Sequence, residues 1–271
     1  MKRNITQRFI LCGVCLMMTG CSTFGFLFER FDWLALWKLD QMFNLSDQQK
    51  EQLQPEIKQV HIWLRQEGIP LAINSLYEVR AHWDAGELSH MHEVVEESTQ
   101  SLALAFMQAS LPVIKTLSMG LTESNTEHYR QYNKNQQDDW FSASRSKQNK
   151  IDKTEEGLEN LYGHLTDAQM DIIENWAEVQ PNEYAERVIN HDVWVDAFID
   201  LALSNDLERI TLWASDPTIF WTEEYKILHK RYAEERQALV KQLFPTLSKK
   251  QRQKSSNKST EWIKKLEVLV E

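Results

Sequence analysis

Cysteine, glycine and proline are scarce in this chain of 271 residues, which has three cysteines, eight glycines and six prolines. So few cysteines exclude a disulfide-stapled fold, and so few glycines and prolines exclude a collagen-like or low-complexity chain. Aromatic residues are plentiful by contrast, with ten tryptophans, seven tyrosines and eleven phenylalanines. The chain therefore has material for a sizeable hydrophobic core, in one large domain or two small ones.

The first twenty residues have the layout of a signal peptide. Three basic residues, Lys2, Arg3 and Arg8, come before an apolar run that is too short to span a membrane stably. The run ends in Met18-Thr19-Gly20-Cys21, which resembles the lipobox of bacterial lipoproteins, with methionine in the place of the commoner leucine. An ordinary secretory signal followed by a buried cysteine is the alternative.

The lipobox resemblance carries specific expectations about the N-terminus. It implies that residues 1–20 are removed, that Cys21 is acylated, and that residues 21–26 form a lipidated N-terminus with a short linker. The other two cysteines lie inside the signal, so the mature chain keeps no thiol for catalysis, metal binding or a disulfide. In such lipoproteins a residue other than aspartate after the cysteine, here Ser22, implies transfer to the outer membrane. The expected location is the periplasmic face of that membrane in a Gram-negative bacterium.

The chain is acidic, with 40 acidic and 30 basic side chains. Removal of the signal peptide leaves 27 basic residues against 40 acidic ones, a net charge of −13. An acidic surface repels phosphate backbones, so nucleic acid is not expected as a partner. The last 25 residues are the exception, because they contain seven basic and three acidic residues. Lys249, Lys250 and Arg252 in this basic tail suit an anionic lipid surface or an acidic partner, and a solvated helix face is the alternative.

Apolar residues recur at three- and four-residue spacing along nearly the whole mature chain, and no stretch alternates strictly between apolar and polar. This pattern predicts an all-α fold: a single, elongated domain over residues 27–271, with about seven to nine helices, no sheet and a basic C-terminal helix. Gly68 and Pro70 are predicted to separate a helix at 56–64 from one at 71–79. Further helices are predicted over 91–109, 122–162, 166–179, 183–203, 217–243 and 248–270.

For one predicted helical region the sequence allows two structures. Residues 133–153 lie inside the predicted helix at 122–162 but are polar apart from Trp140, Phe141 and Ile151. They form either a long helix with solvent on most sides or a mobile loop.

A short motif recurs at four predicted helix starts: leucine, then a hydroxyl residue, then an amide residue three positions later. Its copies are Leu45-Ser46-Asp47-Gln48-Gln49, Leu121-Thr122-Glu123-Ser124-Asn125, Leu165-Thr166-Asp167-Ala168-Gln169 and Leu247-Ser248-Lys249-Lys250-Gln251. In each copy the hydroxyl can accept from the backbone N–H three residues on, and the amide side chain can reach back. This is a capping box, which stabilises a helix start by about 1 kcal/mol. Leu165 and Met170 are suited to form a hydrophobic staple.

The motif also resembles the Leu-Thr-x-x-Gln motif of small periplasmic helical proteins that act as chaperones, envelope-stress regulators or metal-responsive sensors. Those proteins are about half as long as this chain and have two copies on one helical hairpin. Here the copies are 76, 44 and 82 residues apart, and from this spacing we predict neither a repeat nor homology. The resemblance favours a chaperone function only slightly.

A second resemblance extends over the mature chain. Cys21-Ser22 is followed by Phe31-Asp32-Trp33-Leu34-Ala35-Leu36-Trp37, the Leu45 motif, Trp63-Leu64-Arg65 and Ile69-Pro70-Leu71. This arrangement resembles a family of uncharacterised proteobacterial lipoproteins, each made of one all-helical domain of unknown function. The resemblance implies the fold and the anchor and brings no activity with it. Leu64-Arg65 stands where the family pattern has His-Arg, so no histidine role is carried over.

Aromatic residues are concentrated directly after the expected lipid anchor, between Phe24 and Trp37. Aromatic rings with a polar edge favour membrane interfaces, so Trp33 and Trp37 are predicted to contact the membrane or a partner. Because at most a few linker residues precede them, the body should sit against the membrane. The alternative is that Trp33, Leu36 and Trp37 begin the helical core.

Motifs for catalysis or cofactor binding are missing from the sequence, which has no phosphate-binding glycine loop, nucleophile elbow, zinc motif or cysteine cluster. The best metal candidate is His90-Met91-His92-Glu93 near Glu96, Glu97 and His82. On a helix the two histidines of that segment point about 200° apart, which argues against a shared ion. The adjacent pair His191-Asp192 diverges by about 100° and is better explained by a packed histidine. We therefore predict no catalytic residue, no metal and no cofactor.

These features predict a non-enzymatic accessory protein of the cell envelope that binds other proteins, as an adaptor for one complex or as a holdase for unfolded clients. The alternative is a hydrolase or small-ligand binder that acts on envelope material such as peptidoglycan or lipid, using Asp and Glu side chains in a groove between helices. Two carboxylates in a concave pocket favour the alternative, and an exposed apolar patch favours protein binding.

Overall fold

The computed structural model describes residues 25–142, 145–180 and 183–270, with side chains throughout these ranges except at residues 88–92. The predicted signal peptide and Cys21 lie outside the described residues. The described chain forms a single domain of eleven α-helices and contains no β-strand. The all-α prediction is therefore confirmed, and the number of helices is above the predicted seven to nine.

The helices are numbered in chain order. They are α1 (Phe31–Phe43), α2 (Asp47–Trp63), α3 (Ile69–Ala85), α4 (Leu88–Gly120), α5 (Glu123–Trp140), α6 (Lys147–Tyr162), α7 (Asp167–Val179), α8 (Tyr184–Ser204), α9 (Leu207–Ser215), α10 (Glu223–Leu243) and α11 (Lys249–Glu267). A π-helical turn, Leu64–Gly68, joins α2 to α3, and short 3₁₀ helices at Pro217–Phe220 and Phe244–Thr246 precede α10 and α11.

The predicted boundary is confirmed in its position, since α2 ends at Trp63 and α3 begins at Ile69 with Pro70 in its first turn, but a π-helical turn and not a break in helical structure joins the two helices. In the π-helical turn the Ile69 N–H donates to the carbonyl of Leu64, five residues back. This wider turn tolerates Pro70, which has no N–H of its own to donate. Gly68 is buried against the indole of Trp63, where an added Cβ would lie 2.8 Å from a ring carbon.

The open region at residues 133–153 contains a helix break, since α5 ends at Trp140 and α6 begins at Lys147. Ser146 caps α6 by accepting from the Asn149 N–H at 3.1 Å. The Asn149 side chain in turn donates to the carbonyl of Ser142 at 2.7 Å, which ties the start of α6 to the end of α5. The single helix predicted over 122–162 is therefore two helices.

All four motifs form the predicted capping boxes, at the starts of α2, α5, α7 and α11. In the third copy the Thr166 hydroxyl accepts from the Gln169 N–H at 3.3 Å, and the Gln169 side-chain oxygen accepts from the Thr166 N–H at 3.0 Å. Leu165 and Met170 belong to one hydrophobic cluster, as expected of a staple.

The motifs also meet in space, in two pairs that their spacing along the chain did not predict. In the first pair, the Gln49 side chain donates to the side-chain oxygen of Asn125 at 3.0 Å and to the carbonyl of Gly120 at 2.6 Å. In the second pair, Gln169 and Gln251 exchange two side-chain hydrogen bonds, at 2.9 and 3.2 Å. The structure thus pairs the four copies, although their spacing along the chain gave no ground to infer a repeat.

Each pair of motifs belongs to a group of four helices, and the helices of the two groups pack in the same arrangement. Unit 1 consists of α1, α2, α5 and the end of α4, and unit 2 consists of α6, α7, α11 and the end of α10. In unit 1, α1 packs on α2 and α5, as α6 packs on α7 and α11 in unit 2. The last turn of α1 or α6 provides a carboxylate, Asp40 or Glu159, which accepts from the N–H of the following motif leucine. The fold thus contains a structural duplication.

Helix α4 joins the two units. It has 33 residues, so it is about 50 Å long, and it packs against α2 and α3 as well as α8, α9 and α10. The largest buried cluster draws on α1, α2, α4, α5, α8 and α9. Its members are Phe43, Leu45, Leu53, Ile57, Leu117, Tyr129, Val195, Phe198, Ile199 and Trp213.

Candidate functional site

Helix α1 has one face in the core and one face in solvent. The inner face packs against the largest cluster through Phe31, Ala35, Leu36 and Leu39. On the outer face, Trp33 and Trp37 are 60% and 47% exposed, and their rings are stacked with centroids 6.3 Å apart. Leu36 therefore begins the core, as one alternative predicted, but the two tryptophans remain on the surface.

The chain before α1 is fixed by Phe28, which packs against a cluster from α3 and the C-terminal part of α11. That cluster consists of Ile69, Ile73, Ile263 and Leu269. Phe26 and Leu27 are 60% and 45% exposed, and the guanidinium of Arg30 lies 5.5 Å from the centroid of the Phe26 ring. We call Phe26, Leu27, Trp33 and Trp37 the N-terminal apolar face.

The basic residues that the sequence singled out lie elsewhere. Lys249 and Lys250 are exposed in the first turn of α11, whereas Arg252 is half-buried and its Nε donates to the carbonyl of Leu247 at 3.2 Å. The part of α11 that contacts the cluster around Phe28 begins about 21 Å further along the helix. The structure therefore does not bring these basic residues together with the N-terminal apolar face.

A cleft of about 320 Å³ lies between α5, α6, α7, α8 and α10. Glu183, which is 1% exposed, lines it and accepts from the Nε and Nη2 of Arg187 at 2.9 and 2.7 Å. The Nζ of Lys150 lies 3.4 Å from the other carboxylate oxygen. Both oxygens of Glu183 are therefore engaged by cations, as a buried carboxylate requires. Lys150 and Glu183 are 33 residues apart, and the Glu183–Arg187 spacing of four residues on one helix is the only sequence signal for this triad.

The wall of this cleft is aromatic, with Trp140, Trp176 and Tyr232 among its residues. The indole N–H of Trp176 is buried and has no hydrogen-bond partner in the described structure. Neither this cleft nor the more open one on α9, which contains Glu208, provides the two carboxylates that glycoside hydrolysis requires.

His191 is packed among aromatic rings. The centroids that lie 5.4, 5.7 and 6.2 Å from its own are those of Trp140, Phe141 and Trp194. Burial lowers the pKa of His191 below its usual value, against the opposing effect of the negative charge of Asp192. The carboxylate of Asp192 accepts from the side chain of Gln137. The same amide of Gln137 lies 3.4 Å from the Nδ1 of His191, so the described contacts link the two side chains through Gln137.

The predicted metal candidate is only partly within the described side chains, because those of His90 and His92 lie outside them. The Nδ1 of His82 lies 2.8 Å from the carboxylate of Glu87. No group of three or more potential ligands that could hold a metal ion is found among the described side chains.

Helix α4 exposes apolar side chains over most of its length. By length and composition, its residues Glu93–Gly120 form the one helix in the described structure that could cross a membrane, and the most apolar 18-residue window of this stretch has a mean hydropathy of 1.4. Only 17% of its most apolar window is buried in the fold. Its large exposed residues are Val95 (42%), Leu104 (38%), Phe106 (41%) and Met119 (56%). The ring of Phe106 also contacts the ring of Trp63 in α2, with centroids 6.4 Å apart.

The fold and these surfaces define an all-helical domain with a duplicated frame and an apolar helix, α4, that keeps four large side chains exposed. The model of the Family of unknown function (DUF6279) matches residues 41–226, about two thirds of the chain, and the chain belongs to this family. The prediction of an uncharacterised domain family is thereby confirmed. The match leaves most of α1 and all of α11 outside. No curated protein and no solved structure matches the chain.

Proposed function

We propose that the protein is a lipoprotein anchored to the periplasmic face of the outer membrane, where it binds other envelope proteins without catalysing a reaction. The lipobox-like sequence before Cys21 and the serine that follows it support the anchor. The exposed apolar surface of α4 is the observation that carries protein binding.

A helix that is apolar on most sides is normally enclosed by its own domain. Helix α4 has exposed apolar side chains on two opposite faces. Val95 and Phe106 are eleven residues apart and share one face, whereas Leu104 lies about 180° from Val95 on the other. Burying one large apolar side chain contributes about 1.5–3 kcal/mol at most, so these residues are suited to act as the anchors of a larger protein contact. Exposed apolar surface of this kind is typical of protein-binding sites.

Lipid is a poorer occupant for α4 than protein. Every helix that packs against α4, from α2 and α3 to α8, α9 and α10, carries charged side chains. A bilayer around α4 would have to accommodate those charges, which is costly. A protein surface can cover the apolar side chains and leave the charges in water.

Replacing Phe106 with glutamate is expected to reduce capture of partner proteins roughly tenfold, because a charge at the centre of an apolar contact costs more than 1.4 kcal/mol. Capture is measured in intact cells with the native anchor, using a photo-crosslinking residue in place of Val95, which shares a face of α4 with Phe106, and mass spectrometry of the products. One partner in near-stoichiometric amount would identify an adaptor, and a broad set of clients would identify a holdase.

The matched control is Val179→Glu at the end of α7, since Val179 is 53% exposed and α7 is not among the helices that pack against α4. This variant should capture the same proteins as the natural chain. Equal loss in both variants, or no loss with Phe106→Glu, would contradict binding through α4.

The anchor is tested by two substitutions at the predicted lipobox. Cys21→Ala removes the acylated thiol, so the protein should no longer co-fractionate with the outer membrane, because stable anchoring requires the acyl chains. Ser22→Asp should retain the lipidated protein in the inner membrane. Both are measured by density-gradient separation of the two membranes, with Asn160→Asp on the exposed side of α6 as control. Persistence of Cys21→Ala in the outer membrane would exclude a lipid anchor at this residue.

A further inference from the structure

We propose that the N-terminal apolar face lies in the interfacial region of the phospholipid leaflet, so that α1 docks the domain directly on the membrane. This inference rests on the proposed lipid anchor. It adds an orientation, because a tether alone leaves the domain free to rotate, whereas a docked α1 presents the same side of the domain to the periplasm at all times.

The first argument is the length of chain between the anchor and the face. Phe26 is five positions after Cys21, and an extended chain over that distance reaches at most about 17 Å. Phe28 is packed between α3 and α11, so this part of the chain moves with the domain. The polar zone of one leaflet is itself about 5–7 Å thick. The face is therefore confined to the neighbourhood of the lipid head groups.

The second argument is the chemistry of the face. Trp33 and Trp37 combine a large apolar ring with an indole N–H, the combination that favours the boundary between acyl chains and head groups. Phe26 and Leu27 add purely apolar surface at the same end of the chain. Arg30, beside the ring of Phe26, brings a cation to the level of the phosphate groups. The face thus matches a lipid interface in both its apolar and its charged components.

The third argument is the comparison with unit 2. When α1 and α6 are aligned on the carboxylates that accept from the motif leucines, Trp33 and Trp37 correspond to Asp152 and Glu156. Both acidic side chains are exposed, as the tryptophans are. The duplicated frame therefore accepts carboxylates at these two positions, and its packing does not require the tryptophans of unit 1. A contact outside the fold explains them.

The test uses the lipidated mature protein, purified with its native anchor and reconstituted into vesicles of phosphatidylethanolamine and phosphatidylglycerol. Because acylation occupies the Cys21 thiol, a Trp33→Cys variant has one free thiol for an environment-sensitive fluorophore. Asp152→Cys carries the same label at the equivalent position of unit 2. We expect lipid-attached nitroxide to quench the label at position 33 at least about twofold more strongly than the label at position 152.

The other outcomes overturn the inference in distinguishable ways. Equal quenching of both labels by aqueous iodide would place the face in water. Protection of position 33 from both quenchers would show that protein covers it, such as a second copy of the chain. Failure of the lipidated protein to float with the vesicles would refute the anchor and the docking together. A label at Trp37→Cys repeats the measurement, so that one poorly folded variant cannot decide it.

Discussion

Replacing Glu183 with glutamine should lower the free energy of unfolding by about 3–5 kcal/mol. Glu183 is 1% exposed, and its two oxygens face Arg187 and Lys150. Glutamine keeps the shape of the side chain but removes the negative charge that compensates two cations in a poorly solvated site. Chemical denaturation, followed by circular dichroism, measures the loss.

The matched control is Glu178→Gln, which breaks an ion pair with Lys147 on the surface, where the Glu178 side chain is 61% exposed. That change should cost less than about 1 kcal/mol, since water and salt screen such pairs. A third variant, with Lys150→Met and Arg187→Met added to Glu183→Gln, should recover part of the loss, because no uncompensated charge stays buried. Similar losses for Glu183→Gln and Glu178→Gln would contradict a structural role for the triad.

The pairing of Gln169 with Gln251 is expected to have the second-largest effect. Gln169→Leu should cost about 2–4 kcal/mol, because it removes the side-chain half of the capping box with Thr166 and takes one hydrogen bond from the carbonyl of Thr246 and two from the buried amide of Gln251. The double variant Gln169→Leu/Gln251→Leu should cost less than the sum of the two single changes, since each single change already removes the same two hydrogen bonds between the amides. Denaturation of all three variants gives the coupling free energy.

Unit 1 provides the control for this cycle. Gln49 occupies the position of Gln169 but is only half-buried, so water can replace part of what Gln49→Leu removes. We expect that substitution to cost about 1 kcal/mol. Strictly additive losses at Gln169 and Gln251, or a larger loss at Gln49, would show that the buried amide pair does not stabilise unit 2.

The capping boxes could be predicted from sequence because each depends on residues three positions apart, such as Thr166 and Gln169. The helices and the all-α class could be predicted for the same reason, because the periodicity of apolar residues also depends only on residues close together in the sequence. The pairing of Gln169 with Gln251 is a contact between residues 82 positions apart, and no local pattern specifies which helix starts meet. For that reason the four motifs were predicted individually and their arrangement was not.

The exposed surfaces could likewise be predicted only in part. An amphipathic pattern places Leu36 and Trp33 on different faces of α1, yet it does not say which face the rest of the chain covers. For α4 the pattern is misleading, because an apolar helix is expected to be enclosed, whereas four large apolar side chains of α4 are at least 38% exposed. Exposure depends on how the other helices pack, which is set by the whole chain.

The shared core also determines the order in which the molecule can be completed. Unit 1 has its own helices and motifs, but Val195 of α8 and Trp213 of α9 fill its core. Val195 comes 66 residues after Tyr129, the last buried member of that cluster within unit 1. A chain that emerges N-terminus first therefore presents unit 1 before the side chains that close it exist. The architecture has two units, but unit 1 cannot complete its core on its own. Its apolar surface stays exposed until α8 and α9 have been made.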